Sequence, residues 1–203
     1  MDDSLAFLNP MAAELKLRKL GEIPTAQPTA QPKADVPISL WKNPDWLEGL
    51  RWHESGPREM TDAEREAAVG DNGKAVGPYQ IWPIYVQQAN ELRKQENARL
   101  RKEKLPELPL FNMDDRRNTK KSEEIVGTVM PWLAGRFKGK YGREPDATEL
   151  AMLHNAGSLG SFGTAGNLRY RGKFLESQKS LEQARKAREE KKKQEENAKK
   201  NSK

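Results

Sequence analysis

The 203-residue chain has no cysteine and two histidines, His53 and His154. Without cysteine it forms no disulfide, offers no thiol nucleophile and builds no Cys-ligated zinc site. Two histidines leave little for a His-based metal centre. No apolar run approaches the ~20 residues needed to cross a bilayer, which excludes a transmembrane helix. Hydrophobic residues are scarce as well, 35% against 33% charged. That is polar for one packed domain, so part of the chain stays outside a core. The opening Met-Asp-Asp lacks a positive n-region and Pro10 interrupts the apolar residues behind it, so no secretory signal is read.

What is present is unevenly distributed. Lys and Arg number 36 against 30 Asp and Glu, a net charge of +6. Residues 176–203 hold ten Lys or Arg and six Glu, so four of the six net charges sit in the last 28 residues. The excess over the rest is too small to argue for a nucleic-acid-binding body. Residues 1–21 read as a short helix that docks on a partner. Residues 22–39, with a duplicated Thr-Ala-Gln-Pro unit at 25–28 and 29–32, read as an extended linker. Residues 177–203 read as a basic tail, helical or disordered, acting either as a solubilising tail or as a handle for an anionic partner. Between them, residues 40–176 hold all five Trp and all four Tyr and form the domain. Residues 91–113, highly charged and then broken by prolines, read as a surface insertion or extended helix.

The domain reads as mainly α. Asn43-Pro44 is an N-cap with proline at the first helical position, ahead of Trp46, Leu47 and Leu50, and Gly56-Pro57 stops that helix. Thr61–Glu64 and Asp146–Glu149 are capping boxes, the first opening a short helix expected to end at Gly70. Ile125, Val129, Trp132, Leu133 and Phe137 form a helical stripe, and Tyr170 with Phe174 another. These stripes are core.

Three segments have compositions that packing alone does not ask for. His53-Glu54-Ser55-Gly56 puts a carboxylate at the end of a Trp-rich helix. Trp46 and Trp52 would give it apolar surroundings, and burial would raise its pKa towards the ~6 needed of a glycosidic general acid. A Glu at a helix end is otherwise solvated. Residues 69–81 hold Gly70, Gly73 and Gly77, which permit tight turns and close approach to an extended ligand. Within that stretch Asp71 supplies a second carboxylate, Tyr79 an aromatic face and Gln80 an amide. Asp71-Asn72-Gly73 partly matches an EF-hand loop but lacks its spaced acidic ligands and terminal Glu, and a turn-rich connector is the plainer reading. Leu153-His154-Asn155-Ala156-Gly157 ends a capped helix, where Asn and Gly are ordinary C-caps and His154 a satisfied structural histidine.

Taken in order, Glu-Ser-Gly, Gly-Pro-Tyr-Gln-Ile and His-Asn-Ala-Gly resemble the motifs of the lysozyme-like superfamily. The similarity is to soluble lytic transglycosylases and to goose-type and invertebrate-type lysozymes, and it covers roughly residues 43–176. It implies a lysozyme-like helical domain with a glycan cleft, flanked by the extended linker and the charged C-terminal helix. By the resemblance, Glu54 is the catalytic acid and Asp71 the supporting carboxylate. Ser55, Tyr79, Gln80, His154 and Asn155 are the residues that line the sugar groove or brace the acid. The implied substrate is peptidoglycan, cut between N-acetylmuramic acid and N-acetylglucosamine, with no metal or organic cofactor. His154 stands where transglycosylases carry Tyr. The lack of cysteine separates the chain from the disulfide-rich invertebrate enzymes and fits a phage virion, or a bacterial cytoplasm with delivery to the wall. Whether Asp71 holds a water, giving hydrolysis, or the muramoyl 6-hydroxyl attacks, giving a 1,6-anhydro product, stays open. So does a reading from another class, a non-catalytic structural or peptidoglycan-binding module of a phage particle or envelope assembly, attached through the two tails.

Overall fold

The computed structural model describes residues 40–201, so the expected docking helix (1–21) and linker (22–39) lie outside the described residues. The described residues form helices α1 (Pro44–Ser55), α2 (Asp62–Glu66), α3 (Pro83–Lys102), α4 (Thr119–Tyr141), α5 (Ala147–Ala156) and α6 (Ala165–Asn201). Between α2 and α3 lies one small hairpin, β1 (Val69–Gly70) and β2 (Ala75–Val76). The chain is mainly α, as its caps and stripes predict.

Local chemistry sets the ends of these helices. The Asn43 side chain accepts from the Asp45 N–H at 2.8 Å, Pro44 opens α1, and Gly56 leaves it at φ 119°. Both capping boxes form, Thr61 with Glu64 and Asp146 with Glu149. Helix α2 ends at Glu66 and not at Gly70, because Val69 and Gly70 are taken up in antiparallel pairing with Val76 and Ala75. Gly77, at φ +78°, follows the hairpin, and any Cβ there would collide with the Arg116 carbonyl. Only glycine fits that approach.

Helix α4 lies between α3 and α5 and buries Ile125, Val129, Leu133 and Phe137, the stripe expected from the sequence, with Trp132 partly buried at its margin. Leu50 from α1, Tyr79 and Ile81 after the hairpin, Val86 from α3 and Leu150 and Leu153 from α5 close the same core. The Trp46 indole N–H donates to the Ala147 carbonyl at 3.0 Å, fastening α1 to the start of α5.

Two expectations about the domain are corrected here. Of the two readings of residues 91–113, the charged stretch shows the extended helix, and the segment behind it packs onto that helix where a surface insertion would stand free. The charged stretch is the second half of α3, and it buries Arg93, Asn97 and Leu100. The proline-broken segment after it runs back along the same helix, with Phe111 buried. Asn97 bonds both the N–H (2.7 Å) and the carbonyl (2.8 Å) of Leu108, and Asn90 does the same for Phe111 (2.8 and 2.9 Å). Arg93 stacks 3.5 Å from the Phe111 ring centre and donates to the Pro109 carbonyl. The domain also does not stop at 176. Helix α6 passes that position unbroken, with Ser177 and Leu181 buried. Gln178 bonds the Gly49 carbonyl at 3.0 Å, and Arg185 and Arg188 pair with Glu48 on α1. Asn167, Tyr170, Phe174, Ser177 and Leu181 recur at helical spacing, one continuous stripe against the body. From Glu189 to Lys199 the helix is exposed.

Candidate active site

Glu54 is the penultimate residue of α1, partly buried, where α6 crosses it. Its Oε1 accepts the Tyr170 hydroxyl at 2.6 Å. Next to it, His53 meets the Tyr170 ring edge-on at 4.7 Å and the Phe174 ring at 5.5 Å. The His53 Nδ1 lies 2.7 Å from Ser177 Oγ, which itself donates to the Lys173 carbonyl. Since that hydroxyl has spent its proton, His53 Nδ1 is the donor and the ring is the Nδ1–H tautomer, assigned from the network.

This setting changes the chemistry of the carboxyl. Burial raises the Glu54 pKa from 4.5 to about 7, the Tyr170 hydrogen bond opposes the shift, and the Asp71 charge adds to it. The hydroxyls of Tyr170 and Tyr85 are pushed upward by burial and by the Glu54 charge, so both stay protonated. With Oε1 occupied as an acceptor, Oε2 is the oxygen that carries the acid proton. The surroundings are therefore tyrosine, where the sequence suggested tryptophan. Trp46 is buried in the core and Trp52 lies under the guanidinium groups of Arg65 and Arg188, at 5.5 and 5.8 Å.

Asp71 opens the tight turn Asp71–Gly73 between the hairpin strands and is exposed. Three consecutive residues there have left-handed backbones, Asp71 at φ 46°, Asn72 at 55° and Gly73 at 88°. Asp and Asn tolerate that region better than other L-residues, yet it is strained. The Trp82 indole N–H ties the turn down, donating to Asp71 Oδ2 at 3.1 Å.

Of the remaining expected site residues, Tyr79 and His154 are buried in the core, Ser55 and Gln80 are partly buried and bonded to neighbouring backbone, and Asn155 is exposed. Ser55 donates to the Arg51 carbonyl at 2.7 Å and accepts from Arg65 at 2.5 Å. Tyr79 is wholly buried, with its hydroxyl donating to Glu123 at 3.0 Å, so it offers no aromatic face to a sugar. Gln80, itself at φ 46°, turns its amide back onto the Gly77 carbonyl at 2.9 Å. His154 is buried too, with Nε2 3.0 Å from the Tyr79 carbonyl and Nδ1 3.2 Å from the Tyr85 hydroxyl. A carbonyl only accepts, so Nε2 carries the proton, and burial disfavours a second proton on Nδ1. Burial takes its pKa down to about 4. Asn155 is exposed and meets Asn167 at 3.5 Å.

Three participants were not visible as such in the sequence. Tyr170 was legible as a core stripe, but nothing in a separation of 116 residues marks it as the partner of Glu54. Arg65 is 5% exposed and donates to Ser55, to the Arg58 carbonyl (2.9 Å) and to the Arg51 carbonyl (3.4 Å), fixing the last turn of α1. A buried arginine in a sequence looks like any other arginine. Trp82 looked like one of five aromatic core residues.

Among the described residues, no group of three or more His, Asp or Glu is placed to hold a metal ion. No described helix is long and apolar enough to cross a membrane. Two cavities flank α1, about 320 Å³ beside Trp52 and Arg65 and about 440 Å³ between Lys42, Leu47 and Glu123; neither borders Glu54. What fold and site define together is a helical body holding one carboxyl whose pKa burial raises to about 7, with a second carboxyl on a strained turn. Comparison with known proteins found no family model, no curated protein and no solved structure that matches this chain.

Proposed function

We propose that the protein cleaves peptidoglycan glycan strands as a lysozyme-like muramidase or lytic transglycosylase, with Glu54 as general acid and base. The observation that carries this reading is the Glu54 carboxyl itself, raised to about 7 by burial and held by Tyr170 through one oxygen only. A solvated surface Glu loses its proton near 4.5. The order of the three motifs named above supports the same reading.

In the first step Oε2 gives its proton to the bridging oxygen, the C1–O bond of the muramoyl residue breaks, and an oxocarbenium-like centre develops. The Asp71 carboxylate stabilises that positive charge. Glu54, now a carboxylate, takes a proton from whichever nucleophile attacks C1. A water held by Asp71 leaves a reducing end, whereas the muramoyl 6-hydroxyl closes a 1,6-anhydro ring. Either route returns Glu54 to its acid form.

Purified peptidoglycan digested with the wild type should release soluble fragments whose masses separate the two products by one water. Glu54→Gln should release none above background, since the amide keeps the Tyr170 contact and has no proton to give. Wild type that yields no fragment from walls of several chemotypes would move the protein to the non-catalytic binding class, for which the exposed extension of α6 would be the attachment element.

A further inference from the structure

Of the five tryptophans, Trp82 alone is exposed, at 38%. Trp46 and Trp52 are buried, and Trp41 and Trp132 pack at the margin of the core. More of this indole is open to solvent than of any other tryptophan in the chain. It is also not left free to swing. Its N–H is fixed on Asp71 Oδ2 at 3.1 Å, and the Lys74 ammonium lies 5.4 Å from the ring centre. An exposed aromatic ring held in one orientation has already given up the rotamer freedom that binding would otherwise remove.

We propose that Trp82 is a carbohydrate platform, on which a pyranose ring of the glycan strand stacks beside the bond that Glu54 cuts. This rests on the glycan-cleaving reading above. A pyranose presents axial C–H groups on one face and hydroxyls around its rim. The face matches the negative face of an indole, which the exposed Lys74 ammonium now overlies; a sugar stacking there displaces that ammonium towards its own hydroxyl rim, where the Asp71 carboxylate also lies. The same indole carries a second duty through its N–H, because it anchors the carboxylate on the strained Asp71–Gly73 turn. Sugar register and Asp71 placement are then set by one side chain, so a ring docked on Trp82 lies at a defined distance from Asp71.

Two substitutions separate the duties. Trp82→Phe keeps an aromatic face and loses the N–H, and Trp82→Ala loses both. Both substitutions remove the N–H that holds the Asp71–Gly73 turn, so the melting temperature of each is measured first and binding is read well below it. The Glu54→Gln protein is titrated calorimetrically with a tetrasaccharide of two N-acetylglucosaminyl–N-acetylmuramic acid repeats, alone and combined with each Trp82 substitution. Trp82→Ala is expected to weaken binding about tenfold and Trp82→Phe less than about threefold. In the active enzyme Trp82→Phe should slow turnover at saturating glycan more than it raises KM. Equal affinity of Glu54→Gln with and without Trp82→Ala would overturn the platform and leave the glycan reading intact. No binding by Glu54→Gln itself would overturn both.

Discussion

An acid drawn partly out of water is a liability to the fold, and Glu54 makes that liability measurable. The unfolded chain gives up this proton near 4.5, whereas the folded protein keeps it until about 7. Ionisation therefore favours unfolding progressively as pH rises from 4.5 to 7, and the penalty is complete above 7. Glu54→Gln removes it. The variant should gain about 2 kcal/mol over wild type at pH 8, discounted for partial exposure, and almost nothing at pH 4, read from urea midpoints. His154 and His53 act from the other side, both lowered to about 4, by burial first. Their contribution is whole above 6.5 and is lost as pH falls towards 4. Tyr170→Phe takes away a hydrogen bond that favours the carboxylate, so the alkaline limb of the activity profile should move upward. A limb that moves down or stays put would mean that Tyr170 does not set the Glu54 proton. At this scale the raised pKa of Glu54 and the tight turns were legible in the sequence, because residue type and spacing carry that information. The directions of Tyr79 and His154 were not. A motif says which residues sit near a site, and a side chain on an adjacent position of a turn or helix points into the core as readily as out of it.

Among the elements, the pairing of α3 with the segment behind it shows most plainly what sequence patterns hide. Asn90 and Asn97 are seven residues apart on a helix, a rise of about 10.5 Å. Their partners Phe111 and Leu108 are three apart on extended chain, a span of about 10 Å. The two repeats match, so each amide reads one residue's N–H and carbonyl as a neighbouring strand would. A charged, proline-broken stretch looks like an insertion because its satisfaction comes from another element, and composition records only the residues themselves. Asn97→Ala should leave the Leu108 backbone pair unsatisfied and cost about 1–2 kcal/mol. Trypsin should then cut near Lys102 and Lys104 far faster than in wild type. Unchanged cleavage and stability would show that Arg93 and Phe111 hold the segment alone. The caps and core stripes were legible for the opposite reason: each is written in residues three or four apart on its own helix.

The whole molecule is organised on α6, which supplies Tyr170 to Glu54 near its start and grips the length of α1 as far as Arg188. The polar composition that seemed to place a boundary at 176 conceals Ser177 and Leu181, whose burial depends on α1 lying against them. A chain ending at residue 190 should keep the full melting temperature. One ending at 176 loses the Leu181 anchor and the Gln178 contact and should be destabilised by about 4 kcal/mol or more. Equal stability of the two would return the boundary to 176. Half of the basic excess of residues 176–203 then lies in 176–188, where Arg185 and Arg188 pair with Glu48, and half in 189–203, while the chemistry proposed for the protein lies at the crossing of α1 and α6. That crossing is tested most directly by the rate of soluble fragment release from purified peptidoglycan, followed from pH 5 to 9 for wild type and Glu54→Gln together. The wild-type rate should fall through a single ionisation near pH 7 while Glu54→Gln stays at background throughout. Release by Glu54→Gln at the wild-type rate, or a wild-type rate that climbs steadily to pH 9, would contradict a protonated Glu54 as the acid.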